Sequence, residues 1–480
     1  MSVGRHTTYN FFGSLIPLLL ALTTVPIYLK LVGADRYGVL AIAWLLLGYF
    51  GLFDLGLTRA TSFRIAALRD ASPQARADTF LAALSVNLLM GIVGGLALWV
   101  AGAFFFGRVF KVDENLRPEI LAAVPLLACA VPIATLTGVL TGALQGRQKF
   151  LTTNVVSVTS TVLFQLAPLF IAWRLGPNLS WLLTAAISAR ILALLALAYR
   201  CHVELTRSQE IRLVAGEIPQ LMKYGGWVTL TSIFGPMLVV VDRFAIGAVL
   251  GAAAVAAYTV PFQLAQRIAI LPSALTNALF PRLSAAPAQE QRMLGEKALL
   301  VLSSFISLPV LGGIFIMEPF LHIWVGSEIG AQATPVGRTL LIGFWANAFA
   351  LVPFTRLQAS GRPDLVTKIL LLEIPPYFLA LYFGMVHLGL WGSALAICVR
   401  FIVDYLLLSV GAKSTFKELP VLSVNLALLI TAAFLSSIWT ITDWQWWLAA
   451  TMIGAAMVVI GWRTLPDQYK GQIAAFARRV

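Results

Sequence analysis

The chain has 480 residues, of which 59% are hydrophobic and only 11% are charged; its mean hydropathy is +0.86. A soluble domain carries about 25% charged residues, so this composition excludes an ordinary soluble protein. The net charge of +13 is weak support for nucleic-acid binding, because no connection between apolar segments is long enough to fold a binding domain. We therefore expect no nucleic-acid partner.

Apolar segments of membrane-spanning length follow one another along the whole chain. Hydrocarbon offers no water to backbone groups, so each segment is predicted to be a helix; the ten-residue alternation of a membrane barrel is absent. The predicted fold is an all-α membrane protein with about 14 transmembrane helices. The predicted spans are 10–30, 37–57, 79–106, 118–144, 151–173, 181–199, 225–248, 253–279, 299–324, 336–357, 366–386, 389–411, 420–441 and 444–462.

The second half of the chain repeats the first. The segment LVGADRYGVLA returns as VLGAAAVAAYT, which aligns Gly33 with Gly251, and LQGR at 144–147 returns as LQASGR at 357–362. The copies lie an even number of spans apart, so they are parallel repeats, a construction typical of secondary transporters. The predicted organisation is a six-helix N-lobe at 1–199, a cytoplasmic linker at 200–224, a six-helix C-lobe at 225–411, and two extra helices with a basic cytoplasmic tail at 412–480.

Lysine and arginine placement predicts the orientation. With the N-terminus in the cytoplasm, the inner connections hold about 23 basic residues and the outer ones about six, which places both termini in the cytoplasm. No cleavable signal peptide is expected before the first span. The three cysteines (Cys129, Cys201 and Cys398) have neither disulfide nor metal spacing, so we expect them to pack in the interior and expect no metal site.

Four stretches carry a resemblance to a known family: NFFGSLIPLLLALTTVPIYLKLVGADRYGVLA, FDLGLTRA, VVDRFAIGAVLGAAAVAAYTVPFQLA and NALFPRLS. The chain resembles the polysaccharide (O-antigen/exopolysaccharide) flippases of the multidrug/oligosaccharidyl-lipid/polysaccharide exporter superfamily. The resemblance implies two lobes in a V shape in the bacterial inner membrane. It also implies movement of undecaprenyl-diphosphate-linked oligosaccharide to the periplasmic leaflet, with a glycan polymerase and glycosyltransferases as partners and membrane lipids as surroundings.

Such a cargo carries a diphosphate, and the planar guanidinium fork of arginine suits phosphate oxygens. Charges inside membrane spans are costly, so each is a candidate for function. The best candidate is Arg267 in the eighth span, with Gln263 and Gln266 predicted on the same helical face. The alternative is a polar face that only seals helix packing.

Four further residues are predicted to bind cargo. Asp242 and Arg243 are neighbours in the seventh span and are expected to point apart rather than neutralise each other; the alternative is a charge pair snorkelling to the interface. Arg190 stands alone near the middle of the sixth span, and a functional role and a structural role are equally compatible with its position. Arg59 follows Asp54 at the end of the second span and is either a cargo-entrance residue or an ordinary positive-inside residue.

The source of energy is predicted to be an ion gradient. The chain has no GxxxxGK[ST] loop and no soluble domain to hold nucleotide, so neither ATP hydrolysis nor a cofactor is expected. Glu373 lies in the eleventh span just before Pro375 and Pro376, which permit a hinge, and is predicted to carry the coupling ion or proton. The alternative is a helix-end carboxylate bonded to a neighbour, and Glu318 is the second choice for coupling.

Other charges in the spans are predicted to be structural. Arg400 and Asp404 are four residues apart, which favours an ion pair within one helix, and Arg338 is expected to anchor an outer helix end. Two rival functions fit the sequence less well. A membrane glycan polymerase would need a long external catalytic loop, which the chain lacks, so we expect no enzyme. A multidrug exporter of cations shares the fold but favours a cavity of carboxylates and aromatic rings.

Overall fold

The computed structural model describes residues 20–49, 57–68, 70–207, 209–210, 212, 241–467 and 470. These residues form helices and short connections, without a strand. Ten of the helices are long and apolar enough to cross a membrane, and the helix Leu20–Val32 is apolar but shorter. The predicted all-α membrane fold is confirmed, although several helices begin or end outside the predicted spans.

The chain divides into two compact units, Met1–Ala256 and Ala257–Val480. The helices of the first unit are α1 Leu20–Val32, α2 Ala34–Tyr49, α3 Leu57–Ala67, α4 Pro73–Phe104, α5 Arg117–Gly146, α6 Phe150–Leu175, α7 Leu179–Cys201, α8 at 241–249, and the start of α9. The predicted N-lobe, C-lobe and their boundaries stay predictions. Most of the predicted linker at 200–224 lies outside the described residues, although it begins with a π-helical turn, His202–Thr206.

The second unit contains most of α9 and the helices that follow it. They are α9 Ala252–Ala265, a 3₁₀ turn Gln266–Ala269, α10 Ile270–Ala285, α11 Ala288–Val325, α12 Ser327–Ala359, α13 Pro363–Gly411, α14 Leu419–Ile438 and α15 Trp444–Thr464. The most apolar window of α12 is 83% buried, so α12 is the core helix of this unit. Helix α11 begins eleven residues before its predicted span, because the polar segment AQEQRMLGEKA continues the helix beyond the apolar part.

The sequence repeat is present in the backbone. Gly33 and Gly251 have φ of 81° and 96° and each separates two helices, α1 from α2 and α8 from α9. The backbone N–H of Tyr37 donates to the Gly33 carbonyl at 3.0 Å, and the backbone N–H of Val255 donates to the Gly251 carbonyl at 3.3 Å. Each glycine therefore also caps the helix that follows. Glycine adopts positive φ without steric cost, which explains its presence at both positions.

The ends of α5 and α12 repeat the same capping motif. The Lys149 N–H donates to the Leu144 carbonyl at 2.9 Å, and the Arg362 N–H donates to the Leu357 carbonyl at 2.9 Å. In each motif the residue before the donor has positive φ, 60° in the first and 70° in the second, as in a Schellman cap. The two motifs lie 213 positions apart, and this register aligns Arg362 with Lys149 rather than with Arg147.

Helix α13 is a hairpin of two spans rather than one long helix. The break is at Gly389, where φ is 60° and ψ is −141°. A Cβ on Gly384 would lie only 2.7 Å from the Gly392 carbonyl oxygen, so the two halves touch through their backbones beside the turn. The predicted spans 366–386 and 389–411 are therefore antiparallel neighbours, and residues far apart in sequence meet across the hairpin.

Candidate functional site

The arginines inside the spans differ in what their guanidinium groups contact. Arg243 donates to both carboxylate oxygens of Asp242, at 2.8 and 3.1 Å, and the two residues are 2% and 0% exposed. The prediction that Asp242 and Arg243 do not neutralise each other is therefore wrong, and they do not snorkel to an interface. The flexible arginine side chain bends back onto its neighbour, which overrides the 100° separation of the two Cβ directions.

Arg338 is also paired. It donates to the Glu318 carboxylate at 2.8 Å and to the Ser436 carbonyl at 2.8 Å, and is 6% exposed. Its role as an anchor of an outer helix end stays a prediction; the guanidinium joins α11, α12 and α14 inside the second unit. Glu318, the second choice for ion coupling, already has this cation as its partner.

Arg400 pairs across the α13 hairpin. Its Nε lies 3.4 Å from Glu373 Oε2, with the two side chains 10% and 2% exposed. The Asp404 carboxyl lies near the Glu373 carboxyl. The predicted pairing of Arg400 with Asp404 within one helix misses this partner, because the hairpin brings Glu373 of its other half beside Arg400. The guanidinium thus has a carboxylate partner across the hairpin, with a second carboxyl group nearby.

The geometry of this cluster leaves a proton position open. Neither oxygen of Glu373 accepts a hydrogen bond from a donor in the described part of the chain. Two ionised carboxylates cannot bond to each other, whereas a single proton between Glu373 and Asp404 would make that bond. The Arg400 guanidinium also lies over the Tyr377 ring, at 5.3 Å from its centroid. The cluster can therefore hold a proton or another small cation inside the membrane.

Arg190 has a different environment. Its guanidinium carbon lies 4.5 Å from the centroid of the Phe164 ring, and it makes no ion pair or hydrogen bond with any residue that the structure describes. Arg190 projects from α7 and Phe164 from α6. An arginine at mid-span without a carboxylate can accept an anionic ligand.

Arg267 is exposed and likewise has no ion-pair or hydrogen-bond partner among the described residues. It lies in the 3₁₀ turn rather than in an α-helix, and Gln266 is exposed beside it while Gln263 is half-buried in α9. Pro272 has no N–H for the carbonyl four residues earlier, which favours the tighter winding. Whether the two glutamines share the arginine's face stays a prediction.

Arg59 lies in α3, but its side chain is outside the described part of the structure, as is Asp54. No group of three metal-ligating side chains occurs among the described residues, and Cys201 and Cys398 are buried while Cys129 is exposed.

An aromatic cluster beside Arg190 was missed by sequence reasoning. The Trp44 ring lies 6.4 Å from the Phe164 ring and 5.9 Å from the Tyr37 ring, centroid to centroid. Tyr28 packs against both α2 aromatics and donates to the Gln165 carbonyl at 2.6 Å, which fixes α1 to α6. The available signal was the seven-residue spacing of Tyr37 and Trp44, which places both on one face of α2.

A cavity in the first unit differs in character from the aromatic cluster. It measures about 400 Å³ and lies between α4, α5 and Phe244 of α8. Its walls are almost entirely apolar, with leucine, valine and phenylalanine side chains. It offers no donors for a polar group, so the candidate polar site is the Arg190 cluster rather than this cavity.

Known proteins match this chain over most of its length. Residues 3–286 match the family described as polysaccharide biosynthesis protein. A proposed O-antigen transporter of Shigella flexneri is 31% identical over 85% of this chain and 97% of its own length.

Two solved structures are similar in fold. A multidrug resistance transporter of the MATE family, in an inward-facing conformation, has a TM-score of 0.69 and is 15% identical, over 85% of this chain and 95% of its own. The lipid II flippase MurJ, in an inward closed conformation, has a TM-score of 0.69 and is 15% identical, over 97% of this chain and 99% of its own. The chain belongs to the polysaccharide biosynthesis protein family.

Proposed function

We propose that this protein flips an oligosaccharide linked to undecaprenyl diphosphate across the bacterial cytoplasmic membrane, by alternating access. The observation that carries the proposal is the pairing pattern of the span arginines. Arg243, Arg338 and Arg400 each have a carboxylate partner. Arg190 in the first unit and Arg267 in the second have none among the described residues, so each is available to an anionic cargo.

Phosphate chemistry explains the use of arginine. A diphosphate presents several oxygens that accept paired N–H donors, and a guanidinium supplies them in a fixed fork. The prenyl tail can remain in lipid while the polar head passes through the protein. The name of the Shigella flexneri relative supports O-antigen as the kind of glycan, and glycosyltransferases and a polymerase would make and use the cargo.

A multidrug exporter of the same fold is the second candidate, and the same pattern disfavours it. Cationic drugs are attracted by unpaired carboxylates and repelled by unpaired guanidinium groups. The described carboxylates Glu318 and Asp242 already have arginine partners, while Arg190 and Arg267 do not. We propose that the protein is a transporter rather than an enzyme, with both termini in the cytoplasm.

The test is cell-surface polysaccharide in the parent organism after deletion of this gene and complementation with variants. Arg190→Ala and Arg267→Ala are each expected to lower export by about 100-fold, because each removes a charged contact worth about 2–5 kcal/mol. Lysine at either position is expected to rescue export only in part, since it keeps the charge but loses the fork.

The abundance of each variant in the membrane is the control, measured through a tag of the complete chain. Normal export by both alanine variants at parental abundance would remove the arginines from the cargo path. Export of a cationic dye by the parent, with polysaccharide unaffected by gene deletion, would favour the multidrug function instead.

The same proposal assigns ion coupling to Glu373, with Asp404 as the second carboxyl of the site. The two carboxyls around Arg400 provide one position that is either protonated or occupied by a cation. Occupancy shifts the balance between inward-open and outward-open states only if the two states bind the ion differently. The α13 hairpin carries all three charges, so its movement would alter their distances.

Flux in proteoliposomes, with and without an imposed proton or sodium gradient, tests the coupling. Glu373→Gln keeps the size of the side chain but cannot titrate, so it is expected to bind cargo and to lose the response of transport to the gradient. Glu318→Gln is the matched control, because Glu318 is bonded to Arg338, and it should keep that response. If transport by Glu373→Gln responds to the gradient as the parent does, a residue other than Glu373 couples transport to the ion.

A further inference from the structure

The repeat relates two cation–aromatic contacts to each other. Phe164 and Tyr377 lie 213 positions apart, the same separation as the capping motifs of α5 and α12. Arg190 and Arg400 lie 210 positions apart. The turn between α6 and α7 has three residues (176–178) against the single Gly389 of the hairpin, which accounts for two of these three positions. The two arginines therefore occupy equivalent positions, each over the face of an equivalent ring.

The surroundings of the two arginines differ in charge. In the second unit Glu373 lies one helical turn before Tyr377 and pairs with Arg400. The equivalent residue in the first unit is Ser160, one turn before Phe164, which is 4% exposed and whose hydroxyl has no partner. Asp404 corresponds in the same way to an apolar residue, Leu194. At these equivalent positions the first unit has the arginine but neither of the two carboxylates.

Two further buried donors belong to the aromatic cluster beside this cation. Tyr37 is fully buried, yet its hydroxyl has no hydrogen-bond partner, and the Trp44 indole N–H is also buried without one. The Trp44 ring packs on the same Phe164 ring that lies beneath the Arg190 guanidinium. A buried donor without an acceptor costs about 1–3 kcal/mol, so these groups are costly unless a ligand supplies acceptors.

We propose that Arg190, the Tyr37 hydroxyl and the Trp44 indole N–H form a binding site for a phosphate group of the prenyl-linked cargo. The proposal rests on the proposed function and adds the residues that hold the cargo head within the first unit. The ligand is an acceptor-rich anion, because all three groups can donate hydrogen bonds and the guanidinium is positive. Phe164 holds the guanidinium in place from below.

Binding of undecaprenyl diphosphate without glycan to the purified full-length protein in detergent tests this site. The key variant is Ser160→Glu, which places a carboxylate where the second unit has one and so neutralises Arg190. We expect its Kd to rise about tenfold, equivalent to roughly 1.4 kcal/mol. Ser160→Gln adds nearly the same volume without charge and should stay within about twofold of the parent. Trp44→Phe should weaken binding by loss of one donor.

Two outcomes would overturn the site: parental binding by Ser160→Glu, or equal weakening by Ser160→Glu and Ser160→Gln. Phosphatidylglycerol is added as a competitor to separate the two sources of phosphate, and displacement of the probe at equal concentration would assign the site to an ordinary lipid headgroup. If the parent transports glycan but these variants bind normally, only this site is wrong. If the parent does not bind the probe at all, the proposed function fails as well.

Discussion

Arg190 and Arg400 differ in their counter-charges although their positions are equivalent. Arg400 lies over Tyr377 with a carboxylate 3.4 Å away, and Arg190 lies over Phe164 without one among the described residues. A neutralised cation in a membrane needs no ligand, whereas an unpaired one remains costly until an anion arrives. The comparison teaches that a duplicated scaffold can divide two tasks, anion recognition in one half and ion exchange in the other, by the presence of two carboxyl groups.

The largest expected difference concerns stability. Arg400→Ala leaves Glu373 and Asp404 buried without a counter-charge and should lower the free energy of unfolding by about 3–5 kcal/mol. Arg190→Ala should change it by less than about 1 kcal/mol, because the lost cation–π contact is offset by relief of desolvation. Thermal unfolding in detergent gives both values.

Rescue provides the control for this prediction. Adding Glu373→Gln to Arg400→Ala removes the uncompensated charge, so the double variant should unfold at a higher temperature than Arg400→Ala alone. An Arg190→Ala variant as unstable as Arg400→Ala would show that Arg190 also has a structural partner, and the contrast between the two halves would disappear.

A smaller effect is expected from the rings. A double-mutant cycle of Arg190→Ala with Phe164→Leu should give a coupling of about 0.5–2 kcal/mol, since the ring is the arginine's main contact. The same cycle with Arg400→Ala and Tyr377→Leu should give a smaller coupling, because Glu373 already fixes that guanidinium. Equal couplings in the two cycles would mean that the carboxylate does not position Arg400.

The helices could be predicted from sequence because hydropathy and the repeat both depend on local or periodic patterns. The spans 366–386 and 389–411 appear in the structure as the two halves of α13, including the turn between them. Polar extensions were harder, since the first turns of α11 lie outside the apolar signal. The 3₁₀ turn at Gln266–Ala269 could not be predicted either, because the pattern of polar residues does not distinguish a 3₁₀ turn from a regular α-helix.

The candidate site was less predictable, because charge pairing depends on tertiary neighbours. Arg400 has a carboxylate four residues away in sequence, yet its ion pair is with Glu373 on the other half of the hairpin. Asp242 and Arg243 pair through side-chain flexibility that a helical wheel does not represent. The repeat contained the relation between Arg190 and Arg400, but their separation of 210 positions differs from the 213 of the capping motifs, so a single fixed register does not align them.

The single-residue turn at Gly389 would make a small change of angle between the two halves of α13 large at their far ends. The halves are in backbone contact beside the turn, so they cannot separate there and can only fan apart from that pivot. The charged side chains of the hairpin lie about 20 Å along the helices from the pivot, at 1.5 Å rise per residue. A tilt of about 5° between the halves would change their spacing by about 2 Å, which is enough to break a hydrogen bond. The tight turn would therefore convert a small angular change into an all-or-none contact between Glu373 and Arg400.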